Sequence, residues 1–597
     1  MIMNKEKNKI DAQLNKVRHS LSHLLAMAVL EKWPDAKLGI GPVIENGFYY
    51  DFDFKKPILE NDLVELEKTM KKLIEQNLEF TKKTITYSQS KKMFIKAPYK
   101  LELIEELHKK KYPLSIYETS LKDKKNKKIL FIDLCSGPHI KNTKEIPADG
   151  FKLMSLAGAY WKGSEKNKML TRIYGVAFES REKLQEYVQM LTEAEKRDHK
   201  KLGKELGLYV FSELVGPGLP LYTFNGAIIR REIVKFSNEL QESIGYREVH
   251  TPNMNKAELF KVSGHYDKYK DAMFRVISNY SKEEYFLKPM NCPQHTQIYA
   301  SEKRSYKDLP IRIADFANLY RDEKPGELSG LTRLRSFSQD DGHCFCREDQ
   351  IKEEFLSVLN IIKIALKTYG MNYFIRLSLW DPKHQEKYLG EPKVWNKSQK
   401  MLEEILKENK IEYSIGIGEA AIYGPKMDII TKDSLGREWQ ISTIQLDLIM
   451  PKRFELTYTD KEGKQVTPIM IHRAIVGSPE RFMGILIEHY AGAFPTWLSP
   501  IQAIIIPISE KQLNYAREIY NKLKESGVRV EIADANETLG KRIREAELKK
   551  IPYSLIAGDK EKNNQSINVR SYHKGQLGEM NLEKFIKEIN DEIKDRK

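Results

Sequence analysis

The sequence predicts a multidomain α/β protein with three zones of different texture. Residues 1–195 combine helical segments with short strand-like segments, which indicates an α+β domain. Residues 196–500 are rich in aromatic residues, Gly-Pro turns and short alternating strands, which indicates a mainly antiparallel sheet with flanking helices. Residues 501–597 alternate strand and helix, which predicts a small α/β domain with a mainly parallel sheet.

The first zone begins and ends on a helix. An apolar helical segment, RHSLSHLLAMAVLEKW, begins at Arg18, and the strand-like segments NGFYYDFDF and KILFIDLCSG follow it. A long polar helix, expected to be a connector, closes the zone with REKLQEYVQMLTEAEKRDHKKLGKEL.

The second and third zones contain most of the predicted strands. In the second zone these are IRIADFANLYR, TRLRSFSQDDGHCFC, KMDIITKD and EWQISTIQLDLIMP. Helices are expected at about 226–244 and 348–369. In the third zone, QAIIIPI, VRVEIAD and YSLIAGD are strands, separated by the helices EKQLNYAREIYNKLKESG and TLGKRIREAELKKI. A further strand and a final helix are expected to close the chain.

Composition narrows the class of protein. The formal net charge of +15 favours nucleic acid or an anionic membrane as a partner, although lysine-rich solvated faces would give the same excess. Four cysteines in 597 residues exclude a disulfide framework, and the N-terminus lacks the apolar stretch of a secretory signal. The longest apolar run, IQAIIIPI, is too short to span a bilayer. We therefore expect a reduced, cytoplasmic protein.

The segment RLRSFSQDDGH carries an unusual set of polar side chains. Alternate residues of a strand share one face of the sheet. The residues expected on one face are Arg333, Arg335, Phe337, Gln339, Asp341 and His343. Upstream, Arg321 and Glu323 end a predicted strand before the Gly/Pro-containing loop of FANLYRDEKPGELSG. The sequence has no G-x-x-x-x-G-K-[ST], so any nucleotide is held by another scaffold.

This strand, loop and strand resembles the second signature motif of class II aminoacyl-tRNA synthetases, in which the arginine binds the α-phosphate of ATP. GYREVHTPNM, with Pro252, resembles the first motif. HRAIVGSPERFMGILIEHY, with Gly477, Glu480 and Arg481, resembles the third. The three occur in the family's order, and the class I signatures HIGH and KMSKS are absent.

Three further residues resemble the zinc ligands of the threonyl-tRNA synthetase family. They are Cys292 in LKPMNCPQH, His343 in QDDGHCFC and His472 in PIMIHRAIVGS. Their wide separation differs from paired zinc-finger ligands, and three protein ligands leave a coordination position open. Spacing alone also allows Cys292 to be a small buried apolar residue. Cys344 and Cys346 fall on the opposite strand face from His343 and are expected to pack in the core.

The resemblance implies a set of substrates and sites. The substrates would be L-threonine, ATP with Mg²⁺ and tRNA(Thr), and the chain would form a homodimer with one Zn²⁺ per subunit. Zinc would take the amino group and hydroxyl of threonine and so reject valine, which an apolar pocket discriminates by only ~100-fold. Residues implied for threonine are Asp341, Tyr423 and Gln445. Residues implied for ATP and its chemistry are the catalytic Arg321, Arg481 and Lys426 and the ATP-binding Glu323, Arg333, Gln339 and Gln440.

The first zone supplies a second candidate site. RHSLSHL places His19 and His23 on one helix face, and DLCSGPHI adds Asp133, Cys135 and His139. This pattern resembles the editing domain shared by threonyl- and alanyl-tRNA synthetases. Hydrolysis of mischarged seryl-tRNA(Thr) is implied, because one methyl group gives only ~1–3 kcal/mol of discrimination. Three interpretations stay open: a metal-free hydrolytic pocket, a tetrahedral zinc site and a structural role.

The third zone resembles the anticodon-binding domain of class IIa synthetases. Asn536, Glu561 and Arg570 match anticodon-reading positions of that family. On the helix GKRIREAELKK, the basic residues Lys541, Arg542 and Arg544 would suit phosphate contacts, or would form a solvated basic face.

The resemblance runs from about Arg18 to the C-terminus, with two departures. About 17 residues precede it, so the ubiquitin-like TGS domain of bacterial members is expected to be missing. Pro479 stands where an aliphatic residue is usual. Two other functions fit part of the sequence: an RNA-binding regulator, which has no need of Arg321 or Arg481, and a free-standing editing hydrolase, which has no need of the middle zone.

Overall fold

The computed structural model describes residues 2–122, 127–433 and 436–597, and the chain divides into two units, Met1–Thr192 and Glu193–Lys597. Among the residues described, no helix combines the length and hydrophobicity that a membrane crossing needs.

The described strands of the first unit form two antiparallel sheets. The strands are β1 Lys37–Leu38, β2 Val43–Ile44, β3 Gly47–Asp53, β4 Glu79–Thr84, β5 Ser115–Lys122, β6 Lys127–Leu134, β7 Phe151–Tyr160 and β8 Met169–Ala177. One sheet has the order β1-β3-β8-β7, with β2 also pairing β3, and the other has the order β4-β5-β6. The helices are α1 Ile2–Lys32, α2 Glu60–Glu75, α3 Tyr87–Met93, α4 Pro98–Lys109 and α5 Arg181–Arg197.

Helix α1 supports the core of this unit and begins earlier than the predicted Arg18. Its apolar residues Leu21, Leu24, Leu25 and Ala28 recur at helical spacing and are buried on one side. Alternate residues of β3 complete the same core.

An eight-stranded sheet, as far as the chain is described, organises the second unit. The strands up to residue 474 are β9 Tyr209–Val210, β10 Leu221–Tyr222, β11 Arg247–Glu248, β12 Met254–Lys256, β13 Arg275–Val276, β14 Tyr285–Leu287, β15 Ile311–Tyr320, β16 Ser336–Cys346, β17 Tyr373–Leu379, β18 Ser414–Ile417, β19 Lys426–Lys432, β20 Glu438–Asp447, β21 Tyr458–Thr459, β22 Gln465–Val466 and β23 Ile469–Ala474. The order of the eight-stranded sheet is β11-β15-β16-β23-β20-β19-β17-β18, and every pairing is antiparallel except the edge pairs β11–β15 and β17–β18. The predicted antiparallel class is confirmed.

Helices flank this sheet because each carries an apolar face. They are α6 His199–Glu205, α7 Phe224–Ser243, α8 Ala257–Ser263, α9 His265–Tyr269, α10 Cys292–Ala300, α11 Ile351–Thr368, α12 Pro392–Glu408, α13 Met450–Arg453 and α14 Pro479–His489. Pro479 takes the first position of α14, where its missing N–H costs no helical hydrogen bond. In α11 the buried residues Phe355, Val358, Leu359 and Ile362 follow helical spacing and pack against β20 and β23.

The last hundred residues fold on a five-stranded sheet. Its strands are β24 Ala503–Pro507, β25 Val530–Ile532, β26 Tyr553–Ala557, β27 Ser566–Ser571 and β28 Gly575–Asn581, in the order β25-β24-β26-β27-β28. The helices are α15 Leu513–Glu525, α16 Leu539–Leu548, α17 Asp559–Asn563 and α18 Leu582–Lys594. Two pairings are parallel and two antiparallel, so the predicted mainly parallel sheet is wrong for half of it. The sequence pattern missed the hairpin strand β28, which is largely exposed and has few apolar residues.

Two other local predictions need correction. The polar connector is two helices, because Asp198 interrupts it and accepts a hydrogen bond from the Lys200 N–H (2.7 Å) at the start of α6. Strand β16 begins at Ser336, so Arg333 and Arg335 do not continue its alternation. The Arg333 N–H donates to Ser329 O within a turn that precedes the strand, and the Arg335 N–H donates to the distant Gly218 O.

Candidate functional sites

The candidate metal ligands Cys292, His343 and His472 come together in the second unit. His343 and His472 are direct partners across β16 and β23, and Cys292 begins α10. The potential ligand atoms of all three lie within 4.8 Å of one another, and all three side chains are buried. His343 Nε2 and His472 Nδ1 are 3.0 Å apart. Two imidazoles on one zinc, with bonds of ~2.0–2.1 Å, would have nitrogens roughly 3.3 Å apart, so the residues present fit a zinc ion.

Buried partners orient both histidines. His472 donates through Nε2 to Asp447 Oδ2 (2.9 Å), which turns its Nδ1 lone pair toward His343. His343 Nδ1 lies 2.7 Å from Nδ1 of His295, one helical turn after Cys292. Such outer partners are typical of metal-bound histidines. The sequence reasoning missed His295 and Asp447; the i, i+3 spacing of Cys292 and His295 is the signal that could have found the first.

Four residues form a row across four strands beside the candidate metal site. The register pairs Lys426 with Gln445, Gln445 with His472, and His472 with His343. Because directly paired residues share a face of the sheet, this row places Lys426 and Gln445 on the side of the metal ligands.

The residues predicted to contact threonine surround this row. The ring of Tyr423 stacks on His472, with centroids 4.4 Å apart, and its hydroxyl donates to Gln445 Oε1 (2.8 Å). Asp341 Oδ1 lies 3.7 Å from His343 Nε2. Burial raises the pKa of Asp341 to about 7. The structure therefore brings all three predicted residues to the candidate metal ligands.

A cavity of about 520 Å³ lies in the second unit and is rich in arginine. The predicted residues that line this arginine-lined cavity are Arg321, Glu323, Arg333, Gln339, Gln440, Gln445 and Arg481. The guanidinium of Arg321 lies 5.1 Å from the ring centroid of Phe337, and that of Arg481 lies 5.6 Å from Trp439. Within the described part of the chain, neither guanidinium forms an ion pair, and Arg481 Nε is buried without a hydrogen-bond partner. Two half-buried cations without an ion pair indicate an anion site.

Other residues predicted for ATP and its chemistry are already paired with the protein. Arg333 binds Glu323 through Nη2 (2.7 Å), and Gln440 donates to Asp428 Oδ1 (2.7 Å). Lys426 Nζ lies 2.5 Å from Asp428 Oδ2. Asp428 is fully buried and contacts both Gln440 and Lys426. The sequence reasoning missed it, although it stands two residues after Lys426 on the same strand face.

The five residues of the second candidate site converge in the first unit. His19 Nε2 and His139 Nε2 each lie 3.3 Å from Cys135 Sγ, and the rings of His19 and His139 stack. His23 Nε2 lies 3.6 Å from Asp133 Oδ2. The potential ligand atoms of the three histidines and the cysteine all lie within 4.8 Å of one another, and a cavity of about 1390 Å³ opens beside them. The arrangement fits a pocket for hydrolysis and also fits a metal.

Two buried residues that the sequence did not indicate complete this site. Lys100 is 2% exposed, and its Nζ lies 2.5 Å from Asp133 Oδ1. Tyr50 donates to Asp133 Oδ2 (2.6 Å) and accepts from Lys100. Burial raises the pKa of the Cys135 thiol to about 11 and holds that of His23 well below its ordinary value. The thiol is therefore protonated and the imidazole neutral near pH 7.

The predicted anticodon-reading residues have different environments. Asn536 is exposed in the loop between β25 and α16. Arg570 is exposed on β27, where it pairs with Glu547 at 2.7 Å and lines a cavity of about 410 Å³. Glu561 is buried, and its Oε2 accepts from the Gly558 N–H (3.0 Å) at the start of α17.

Arg542 fits neither of its two predicted environments, a phosphate contact or a solvated basic face. Arg542 is 3% exposed, and its guanidinium donates to the carbonyls of Pro507 and Ile508. Helical spacing turns Arg542 toward the sheet, whereas Lys541 and Arg544 are exposed on the same helix.

Comparisons with known proteins agree for every zone. Residues 274–490 match the family model described as tRNA synthetase class II core domain (G, H, P, S and T), residues 502–592 match Anticodon binding domain, and residues 115–174 match Threonyl and Alanyl tRNA synthetase second additional domain. The chain is 47% identical over 561 residues to threonine–tRNA ligase of Deinococcus radiodurans, covering 93% of this chain and 84% of that protein. It is 44% identical over 592 residues to that of Thermus thermophilus, covering 97% and 89%.

Two solved structures are similar to this chain. The RNA binding domain of threonyl-tRNA synthetase from Cryptosporidium parvum aligns with a TM-score of 0.63 at 36% identity, over 66% of this chain and 98% of that one. Putative threonyl-tRNA synthetase ThrRS-1 from Aeropyrum pernix aligns with a TM-score of 0.59 at 28% identity, over 67% and 96%.

Proposed function

The chain belongs to the threonyl-tRNA synthetase family of ATP-dependent threonine–tRNA ligases, and we propose that Cys292, His343 and His472 bind the zinc ion with which it selects L-threonine. The observation that carries this proposal is the meeting of three distant, buried side chains whose potential ligand atoms lie within 4.8 Å of one another. The hydrogen bond from His472 to Asp447 supports it, because it orients the imidazole for a metal.

The chain's own residues would position threonine around that site. When bound, zinc supplies open coordination positions for the amino group and the hydroxyl of threonine. Asp341 stands where its carboxylate can accept from the substrate amino group, while Tyr423 and Gln445 close the pocket around the side chain. Valine has no hydroxyl and would leave this polar site incomplete, which is the kind of mismatch that excludes a substrate strongly.

The arginine-lined cavity would hold ATP with Mg²⁺. Arg321 and Arg481 provide unpaired guanidinium groups for the phosphates, and Gln339 and Gln440 lie beside them. Lys426, held by Asp428, would orient the threonine carboxylate against the α-phosphate. Since a carboxylate is already a nucleophile, formation of threonyl-adenylate needs positioning and charge stabilisation more than proton transfer.

Amino-acid-dependent exchange of pyrophosphate into ATP tests this function. We expect exchange with threonine, little exchange with valine, and loss of exchange after the metal is removed by a chelator and its return on adding zinc. Exchange with another amino acid but not with threonine would show that the specificity is misassigned. A metal-free enzyme with full threonine activation would exclude the recognition role of zinc.

We further propose that the first unit hydrolyses seryl-tRNA(Thr) without a metal. The large cavity beside His19, His23 and Cys135 has room for the end of a charged tRNA, and neutral imidazoles and hydroxyls there can position water. Asp133, fixed by Tyr50 and Lys100, would orient His23.

Replacing both His19 and His23 with alanine should slow hydrolysis of seryl-tRNA(Thr) by at least about 100-fold, because groups that move or position protons contribute roughly that much. Threonine-dependent pyrophosphate exchange should be unchanged. His108→Ala, which alters an exposed histidine of the same unit, is the matched control. Unchanged hydrolysis in the double variant would refute the role of the two histidines, and inhibition by a chelator would favour the zinc interpretation.

The proposal extends to assembly and tRNA contacts. Leu214 is fully exposed and Phe224 is 92% exposed in one segment before and at the start of α7, which supports a homodimer in which a second copy covers them. Sedimentation of the chain as a monomer at micromolar concentration would contradict this.

Asn536, Glu561 and Arg570 are proposed to read the anticodon of tRNA(Thr), and the location typical of the family is cytoplasmic. The domains are proposed as 1–195, 196–500 and 501–597, which the matched ranges support.

A further inference from the structure

His199 is a buried histidine to which neither the sequence motifs nor the proposed chemistry assigns a role. It begins α6 and is 3% exposed. Its Nδ1 lies 2.6 Å from Glu488 Oε1 on α14, and its Nε2 lies 3.0 Å from the backbone nitrogen of Leu331. The ring therefore joins three segments that are far apart in the chain.

The hydrogen bonds fix the protonation of this ring. The Leu331 N–H can only donate, so His199 Nε2 accepts and Nδ1 carries the proton that goes to Glu488. The His199 backbone N–H donates to the same Glu488 oxygen (3.2 Å), and the other oxygen pairs with Arg437. Burial lowers the pKa of His199 to about 4, with Asp198, Lys200 and Arg437 as the further charges around it. At neutral pH the Nε2 lone pair is available to Leu331.

Leu331 belongs to a tight turn that lines the arginine-lined cavity. Ser329 and Arg333 bridge its ends, and Leu331, Thr332 and Arg333 all line the cavity. Gly330, at the top of this 329–333 turn, has φ +48°, and a Cβ there would lie 2.1 Å from His199 Nε2. The turn therefore contacts the imidazole on one side and lines the cavity on the other.

We propose that His199 is a positioning residue for ATP. Its Nε2 accepts a hydrogen bond from the Leu331 N–H, and Gly330, which has no Cβ, lets the 329–333 turn approach the imidazole closely. Together these contacts set the position at which the turn meets the nucleotide. The inference rests on the proposed function of the cavity. His199 touches neither substrate, and Asp341, Tyr423 and Gln445 lie outside the turn. Its loss should therefore change the use of ATP and leave the recognition of threonine as it is.

Steady-state exchange kinetics of His199→Ala separate these effects. We expect KM for ATP to rise about 10-fold, the size of one lost hydrogen bond to a buried donor, with KM for threonine within twofold of the unsubstituted chain. His199→Gln, which keeps an acceptor for Leu331, should recover most of the loss. His384→Ala alters an exposed histidine and should match the unsubstituted chain. A lower melting temperature with an unchanged KM for ATP would mean a purely structural role and would overturn the proposal.

Gly330→Ala tests the close approach independently. Alone, it should raise KM for ATP, because its Cβ collides with the imidazole as well as straining a left-handed backbone. In the His199→Ala background the collision is gone, so the same change should add much less. Full additivity of the two substitutions would contradict the proposed contact.

Hydrogen exchange of the Leu331 amide tests the contact with His199 without depending on which amino acid the enzyme activates. In the full chain, His199→Ala should speed exchange at Leu331 by at least about 10-fold, whichever amino acid is activated. If the unsubstituted chain fails to activate threonine while this amide still loses protection in the variant, the proposed function fails and the positioning role stands. Equal protection in both proteins would refute the positioning role.

Discussion

Cys292→Ala is expected to lose the bound zinc and to lower threonine activation by more than about 100-fold, since even groups that merely orient a metal ligand are worth roughly 10–100-fold. Two histidines alone would remain as ligands, and they could not hold the ion with an open position for substrate. The measurements are the metal content of the purified protein and the threonine-dependent exchange rate.

Cys346→Ala is the matched control for this substitution. Both cysteines are buried in the second unit, but Cys346 packs in the apolar core away from His343 and His472. It should keep its metal and near-normal activity. If Cys292→Ala behaves like Cys346→Ala, with full metal content, then Cys292 is only a small buried apolar residue and the zinc proposal fails.

Arg321→Ala is expected to lower kcat/KM for ATP by roughly 10²–10³-fold, because it removes a prepositioned cation from the site where phosphate charge develops. Arg321 suits this role because it lines the arginine-lined cavity and forms no ion pair with any carboxylate of the described chain. Exchange kinetics at saturating threonine measure the effect.

Two further variants sharpen this test. Arg321→Lys keeps the charge but not the planar fork, so it should recover only part of the lost activity. Arg517→Ala removes an exposed arginine from α15 and should leave the exchange rate unchanged. Normal kcat/KM in Arg321→Ala would mean that other groups bind the phosphates.

The sequence predicted residues whose place follows from strand alternation or from a local motif. Asp341 and His343 share a face because they are two residues apart in β16, and both reach the site. The same rule does not place Arg333 and Arg335, because both precede the first residue of β16, Ser336; Arg333 nevertheless lines the arginine-lined cavity. Alternation is reliable only where the partner strand continues.

Other residues of the sites could not be predicted because their role depends on distant partners. Lys100 is part of an ordinary polar helix pattern, and only the pairing with Asp133 and Tyr50 explains its burial. His199 is likewise defined by a contact 132 residues away, at Leu331. No local composition distinguishes such residues from solvated ones.

The row from Lys426 through Gln445 and His472 to His343 has a consequence for insertions and deletions. Its four members stand on four adjacent strands. Three strand spacings of ~4.8 Å therefore separate Lys426 from His343, a distance of roughly 14 Å. Adding one residue inside β20 or β23 would turn every later side chain of that strand to the opposite face. The same addition in an exposed loop would leave this spacing intact. Tolerance to length changes should therefore fall abruptly at the ends of these strands, and a map of viable single-residue insertions would trace the substrate-binding face of the sheet.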